Sequence, residues 1–261
     1  MWWLQVVSVI FVQCCILKNV WGEKYYGKFV GKLDTKAHDV KGSVYAANKD
    51  TFFIKGFSYD GEGPDAFFWA GSTTSPSEDG FIVPDEKGTE NVLRRYSNKD
   101  IWIKLPNGRT IKDVNWLSVW CREFKVNFGS LQIPDNLELP GPKVIEPLQT
   151  FAHGVKSDPI VIKDEKTIYI PKLQYDGAGP DVYFLVGKGI KPQIQGATKV
   201  PDEKGSTDVL HGYQGQDITL TLPAKLTVHD IDWFSLYCIQ YQENFGHVVI
   251  PKDLNVPAQI G

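Results

Sequence analysis

The sequence contains the same unit twice, 116 or 117 residues apart. The segment Tyr59–Asp65 (Tyr-Asp-Gly-Glu-Gly-Pro-Asp) returns as Tyr175–Asp181 with a single substitution. Three further matches follow in the same order: Pro84–Gly88 with Pro201–Gly205, Trp116–Cys121 with Trp233–Cys238, and Asn127–Gly129 with Asn244–Gly246. Units of solenoids and propellers are about 20 to 50 residues long and occur in larger numbers. We therefore predict two tandem domains, each with its own core.

The N-terminus has the pattern of a secretory signal peptide. Trp2 to Leu17 carries no charge, Lys18 follows, and Gly22 is a small residue suited to cleavage. The apolar stretch is short for a membrane span, so we predict cleavage near Gly22, with a retained anchor or a buried strand as the alternative. The predicted division is a signal peptide at 1–22, a first domain at 23–139, a Pro-rich linker at 140–147 and a second domain at 148–261.

Charge and cysteine content narrow the class of protein. The net charge of −3 gives no reason to expect nucleic acid or a membrane surface as a partner. Cys14 and Cys15 would leave with the signal peptide, so only Cys121 and Cys238 remain. Two cysteines cannot provide a disulfide framework or a structural zinc site. The sequence thus predicts a secreted, extracellular protein held together by burial of its cores, with no cofactor and no metal.

Short strand patterns fill each unit. Segments rich in β-branched and aromatic residues are separated by Gly, Pro, Asn or Asp. No capped segment of ten or more residues shows the period of an α-helix. Seven such segments lie in the first unit: 28–33, 42–46, 51–57, 66–70, 101–105, 117–121 and 126–133. We predict an all-β fold with two tandem β-sandwich-like domains of about seven or eight short strands each.

These motifs together resemble a known family. The Tyr-Asp-Gly-x-Gly-Pro-Asp turn, the aromatic strand Ala66–Gly71, the Leu105-Pro106 turn, the Trp116–Cys121 strand and the closing Asn-Phe-Gly are similar to the DM-thirteen (DM13) domain. Tandem pairs of this domain occur in longer insect proteins that also carry a DOMON domain. The resemblance implies an extracellular role in cuticle, with organisation of chitin, and a redox function for the one cysteine of each unit.

Cys121 and Cys238 are the redox candidates. The strand period of two places Leu117, Val119 and Cys121 on one face, opposite Trp116, Ser118, Trp120 and Arg122. A thiol on an apolar face behaves as a small, unreactive core residue, whereas a reactive thiol needs an accessible, electropositive setting. We predict a core role, with redox chemistry and a Cys121–Cys238 bond as the alternatives.

Aspartates and histidines of the repeated motifs form two further sets of candidates. Asp60 and Asp65, like Asp176 and Asp181, would serve either a tight turn or a hard cation bound through oxygens, and we favour the turn. His38 and His153 recur at matching positions, while the other three histidines do not. A lone histidine of this kind is usually a hydrogen-bonded structural residue.

Four tryptophans of the first unit are the ligand-binding candidates: Trp69, Trp102, Trp116 and Trp120. Rings on an exposed sheet face can stack on the apolar faces of sugars. Trp102 aligns with Thr219, so a binding role would belong to the first unit rather than to the shared scaffold.

No catalytic motif of the common hydrolases, metalloproteases or nucleotide-binding enzymes occurs in the sequence. We therefore predict a non-catalytic binding module of the extracellular matrix, whose partner is a matrix polymer, with chitin as a candidate, or a matrix protein. The alternative function is a redox accessory that transfers electrons or exchanges thiols through the two cysteines.

Overall fold

The computed structural model describes residues 24–260, and its regular secondary structure is almost entirely β. The predicted signal peptide lies outside the described residues. The first unit contains nine strands: β1 (Lys28–Lys32), β2 (Asp34–Thr35), β3 (Lys41–Ala46), β4 (Thr51–Tyr59), β5 (Ala66–Gly71), β6 (Phe81–Val83), β7 (Tyr96–Lys104), β8 (Trp116–Cys121) and β9 (Val126–Gln132).

The second unit repeats this order: β10 (Lys143–Ile145), β11 (Gln149–Thr150), β12 (Ile160–Ile162), β13 (Thr167–Tyr175), β14 (Val182–Gly187), β15 (Thr198–Val200), β16 (Tyr213–Thr221), β17 (Trp233–Cys238) and β18 (Glu243–Val249). Helical structure among the described residues is limited to one 3-10 turn in each unit, Ile111–Asp113 and Val228–Asp230. No helix between residues 24 and 260 is long and apolar enough to cross a membrane.

Each unit is built from two antiparallel sheets. In the first unit the orders are β1-β3-β4-β7 and β2-β9-β8-β5-β6, and the second unit has the same arrangement. The predicted all-β sandwich in two tandem copies is therefore confirmed. There are nine strands per unit rather than seven or eight, because the short β2 and β6 and their counterparts carry too few residues for a visible alternation.

Each unit has a separate core between its sheets. On β7, for example, Ile101 and Ile103 point into the core while Trp102 and Lys104 lie on the outer face. This alternation follows from the strand period of two, which turns successive side chains to opposite faces. Burial of apolar surface thus stabilises each unit independently, as the duplication predicts.

The two units are joined by more than the Pro-rich segment. Lys143–Ile145, within the predicted linker, forms β10 and pairs with β12 of the second unit. The segment after β18 returns to the first unit, where the Ala258 amide donates to the Ala47 carbonyl at 2.9 Å. The same segment is bonded to the second unit, because the Glu165 amide donates to the Pro257 carbonyl at 3.0 Å. Residues 254–260 are therefore held by both units.

Candidate functional site

A cluster of four side chains surrounds the repeated Asp-Gly turn in the first unit. Tyr59 ends β4 with its side chain buried, and its hydroxyl accepts a hydrogen bond of 2.9 Å from the Gly63 amide. His38 Nδ1 lies 3.0 and 3.1 Å from the two carboxylate oxygens of Asp60, the distance of a hydrogen bond from a ring N–H. The His38 ring packs against Phe128 with 4.0 Å between centroids.

The second unit reproduces this geometry almost atom for atom. His153 Nδ1 lies 3.0 and 3.1 Å from the Asp176 oxygens, and its ring is 4.1 Å from that of Phe245. The Gly179 amide donates to the Tyr175 hydroxyl at 3.0 Å. Sequence reasoning identified the recurring histidines and aspartates separately but did not pair them. Their similar spacing, 22 residues in the first unit and 23 in the second, was the available signal.

Glycine is required inside this turn because two aromatic groups lie against it. A Cβ added to Gly63 would be 2.6 Å from both the Phe128 ring and the Tyr59 hydroxyl. The same atom on Gly179 would be 2.7 Å from both Phe245 and Tyr175. The glycine thus lets the backbone N–H approach a buried phenol, which fixes the turn to the core.

Cys121 and Cys238 are free thiols, fully buried in the two separate cores. Cys121 shares its face with Leu117 and Val119, while Trp116 and Trp120 form an apolar cluster on the other face, as the strand period predicts. No bond joins the two thiols, and burial denies each of them access to a partner's sulfur.

Each buried thiol contributes to the raised pKa of the tyrosine in its unit. Burial is the main cause that raises the pKa of Tyr59, and the neighbouring Asp60 and Cys121 add to the rise. Burial likewise raises the pKa of Tyr175, with Asp176 and Cys238 contributing. In both units the pKa of the tyrosine therefore responds to charge on a core thiol and on the aspartate of a partly exposed His–Asp pair.

The four aspartates of the turns are each bound to other protein groups. Asp60 and Asp176 accept the His contacts and also the amides of Glu62 and Ala178. Asp65 forms a bidentate salt bridge with Arg122, with both N···O distances at 3.0 Å. Asp181 accepts a 2.8 Å hydrogen bond from the Tyr183 hydroxyl. Among residues 24–260 no group of three His, Cys, Asp or Glu side chains is placed to hold a metal ion. The geometry is that of a structural turn.

The tryptophans do not form one exposed platform. Trp69, Trp116 and Trp120 are at most 7% exposed, and the loop after β5 covers the first two. Trp116 Nε1 donates to Thr73 Oγ1, and Trp69 Nε1 donates to the Ser77 carbonyl. A stacking role for these three rings is therefore at odds with their burial, and only Trp102 keeps a partly open face.

Trp102 lines a groove of about 700 Å³ on the first unit. One side of its ring packs on Phe53, with 4.4 Å between centroids. The groove combines this ring with charged and polar side chains and is bordered at one end by Ile260 of the returning C-terminal segment. Its charged members are Asp50, Asp85, Glu86, Asp100 and Lys104.

The groove is specific to the first unit in its chemistry. Trp102 corresponds to Thr219 and Asp50 to Lys166, so the second unit lacks both the ring and one of the carboxylates at the matching positions. In the first unit Lys104 Nζ lies 3.7 Å from Asp50, which places a donor and an acceptor side by side near the ring. An aromatic surface flanked by a few oriented polar groups is the usual composition of a small-ligand site.

Fold and site together define a class: a tandem duplication of a β-sandwich in which each unit buries one free thiol and one tyrosine and carries a His–Asp turn. The family model described as "Electron transfer DM13" matches residues 32–133 and 147–250. The chain belongs to the DM13 family.

Curated relatives support this assignment. The chain is 43% identical over 263 residues to Protein Skeletor, isoforms B/C, of Drosophila melanogaster, and 43% identical to isoforms D/E. Each match covers 99% of this chain but only 33% and 17%, respectively, of the relatives. The chain therefore spans a third or less of the length of these proteins. No solved structure matches it.

Proposed function

We propose that the chain is a secreted, non-catalytic binding module of an extracellular matrix, and that the Trp102 groove holds a polysaccharide such as the chitin of cuticle. The observation that carries this proposal is the groove itself, in which one face of an indole is open beside Asp50 and Lys104. Membership of the DM13 family is compatible with it, while the thiols are too deeply buried to meet a partner directly.

The chemistry of the groove suits a sugar chain. The C–H face of a pyranose ring can lie on the indole of Trp102, and carboxylate and ammonium groups can bond its hydroxyls and acetamido groups. Phe53 supports the indole from behind, so the ring is held in place before a ligand arrives. Such preorganisation reduces the entropy lost on binding.

A retention assay on chitin tests the proposal. We expect the full chain to be retained and Trp102→Ala to lose most of the retention, while Trp102→Phe keeps part of it because a stacking surface remains. Thr219→Ala is the matched control in the second unit and should leave retention unchanged. Absence of retention of the unmodified chain, or equal retention of Trp102→Ala, would refute the polysaccharide version.

Secretion is tested separately from ligand binding. Expression in cultured insect cells should release a protein whose intact mass corresponds to cleavage near Gly22. A full-length mass, or a protein confined to the cells, would contradict this part of the proposal.

The second candidate function is electron transfer. It is favoured by the electrostatic coupling of a phenol to a buried thiol in both units and by the description of the family model. Disulfide exchange requires contact between sulfur atoms, whereas a single electron can leave a buried group through a few ångströms of protein. The proposed step removes one electron from the Tyr59–Cys121 pair, releases one proton to solvent and reduces an external one-electron oxidant.

Spectroscopy separates the two candidates. After treatment with hexachloroiridate(IV), paramagnetic resonance should show a protein radical whose signal changes when both cysteines are replaced by alanine. Iridium(IV) is reduced to iridium(III) as the radical forms, so the two yields should match. A radical signal that is identical with and without the cysteines would remove the thiols from the electron path.

A further inference from the structure

Tyr25, at the start of the first unit, occupies a pocket of the second unit. Its ring packs on His229 with 4.0 Å between centroids, and its hydroxyl donates a 2.7 Å hydrogen bond to the Val256 carbonyl. Leu254 lies beside it. Burial, followed by the nearby charge of Glu165, raises the pKa of Tyr25 to about 12. We call this site the Tyr25 pocket.

The first unit has a pocket at the corresponding place. The segments Ile133–Leu139 and Ile250–Val256 align at an offset of 117, so His229, Leu254 and Val256 correspond to Lys112, Leu137 and Leu139. Lys112, Leu137 and Leu139 line a cavity of about 240 Å³. Its remaining lining is mostly apolar: Ile111, Val114, Asn115, Ile133, Pro134 and Asp135. We call it the Lys112 pocket.

The two pockets differ in what fills them. The Tyr25 pocket receives an aromatic side chain from the other unit, whereas the Lys112 pocket is open within residues 24–260. The position that aligns with Tyr25 through the first strand of the second unit is Pro140, which has no aromatic ring to insert and no hydroxyl to donate. The first unit thus has a pocket like the one that holds Tyr25 in the second unit, but no aromatic side chain among residues 24–260 lines or fills it.

We propose that the Lys112 pocket binds a tyrosine side chain from an extended segment of a partner protein. The phenol would donate to the Leu139 carbonyl, the counterpart of the Val256 carbonyl that accepts from Tyr25. Lys112, which replaces His229, would lie against the ring and attract its electron-rich face. Leu137 and Ile111 would bury the edge of the ring.

The flanking charges indicate the sequence of the partner segment. In the Tyr25 pocket burial raises the pKa of Glu165, and the charge of Lys24, the residue before the bound tyrosine, offsets part of this rise. In the first unit Lys49 stands where the second has Glu165, and Lys112 where it has His229. The preferred residue before the tyrosine is therefore acidic, with Asp135 as the one carboxylate among the pocket's lining residues that opposes this preference.

Peptide titration with residue-resolved NMR of the full chain tests the proposal. One probe is an acetylated peptide with the sequence of residues 24–30, and a second carries Lys24→Glu. We expect saturable shifts at Ile111, Lys112, Leu137 and Leu139, with tighter binding of the acidic peptide. Tyr25→Ala in the peptide should weaken binding at least tenfold.

Substitution of the exposed Lys112 provides the matched protein variant. Lys112→Glu should weaken the acidic peptide by about fivefold to tenfold, since the cation against the ring is replaced by a like charge, while His229→Ala should leave first-unit binding unchanged. Shifts confined to His229, Leu254 and Val256 would show displacement of Tyr25 from its own pocket and would overturn the proposal. Absence of shifts at millimolar peptide, or a tyrosine-independent response, would overturn it as well.

Discussion

Burial of Cys121 leads to a quantitative prediction about its reactivity. The thiol has no exposed surface, so a labelling reagent can reach it only when the first unit opens. Domains of this kind are stable by about 5 kcal/mol or more, and each 1.4 kcal/mol corresponds to a factor of ten. Labelling in the native protein should therefore be slower than in urea by at least about three orders of magnitude. A Cys238→Ala background isolates the signal of Cys121.

Two replacements of the same thiol separate a structural role from a chemical one. Cys121→Ala removes one buried heavy atom and should lower the free energy of unfolding by about 1 kcal/mol, with a small addition for the cavity. Cys121→Ser retains the size but buries a hydroxyl among Leu117, Val119 and other apolar groups, which costs about 1 to 3 kcal/mol. The serine variant should therefore be the less stable of the two in urea titrations that follow the first unit.

The opposite results would refute this reasoning. Rapid labelling of native protein would mean that the thiol is reached without unfolding of the core. Equal stability of the serine and alanine variants would mean that a polar partner or water accompanies the thiol. Cys238 offers an internal replicate, because it is fully buried at the matching position of the second unit.

Three further predictions concern the turns and the connection between the units. Tyr59→Phe leaves the buried amide of Gly63 without an acceptor and should lower the free energy of unfolding by about 1 to 3 kcal/mol in urea titrations, whereas an unchanged midpoint would contradict the role of the phenol. The hydrogen bond from the Ala178 amide, followed by the contact with His153, lowers the pKa of Asp176 below its ordinary value of 3.8. The ionised carboxylate therefore stabilises the second unit above pH 3.8. This stabilisation is lost as the pH falls through the lower pKa of the native state. Carboxyl NMR titration should show the low pKa, and Asp176→Asn should reduce the acid dependence of the melting temperature of the second unit; an unreduced dependence would count against it. Deletion of residues 257–261 removes the hydrogen bonds to Ala47 and Glu165. Small-angle scattering should then show a larger radius of gyration, with little change in either core. An unchanged radius would show that the other contacts between the units are enough to hold them together.

The sequence was sufficient for the features that repeat locally. The duplication, the strand alternation around Cys121 and the two separate cores all follow from patterns visible in one dimension. It was less informative about exposure, because Trp69 and Trp116 look equally suited to a surface or to a core. Their burial depends on the loop after β5, which folds over the outer face of the sheet and has no periodic pattern of its own.

Contacts between distant segments were also beyond sequence reasoning. His38 and Asp60 are 22 residues apart, and their pairing depends on how the loop before β3 meets the end of β4. Tyr25 and Val256 are 231 residues apart, and their hydrogen bond requires both units to be complete. Nothing in the composition of either segment distinguishes it from an ordinary solvent-exposed terminus.

The return of the C-terminal segment to the first unit has a consequence for synthesis. The first unit leaves the ribosome early and can close its core between the two sheets at once. The aromatic cluster on its outer face, which includes Phe53 and Tyr26, is completed by Ala258 from the far end of the described chain. Until that residue is made, the cluster is incomplete in the nascent protein and offers a surface to chaperones or to premature association. Ala258 thus completes the outer face of a domain whose core has already folded.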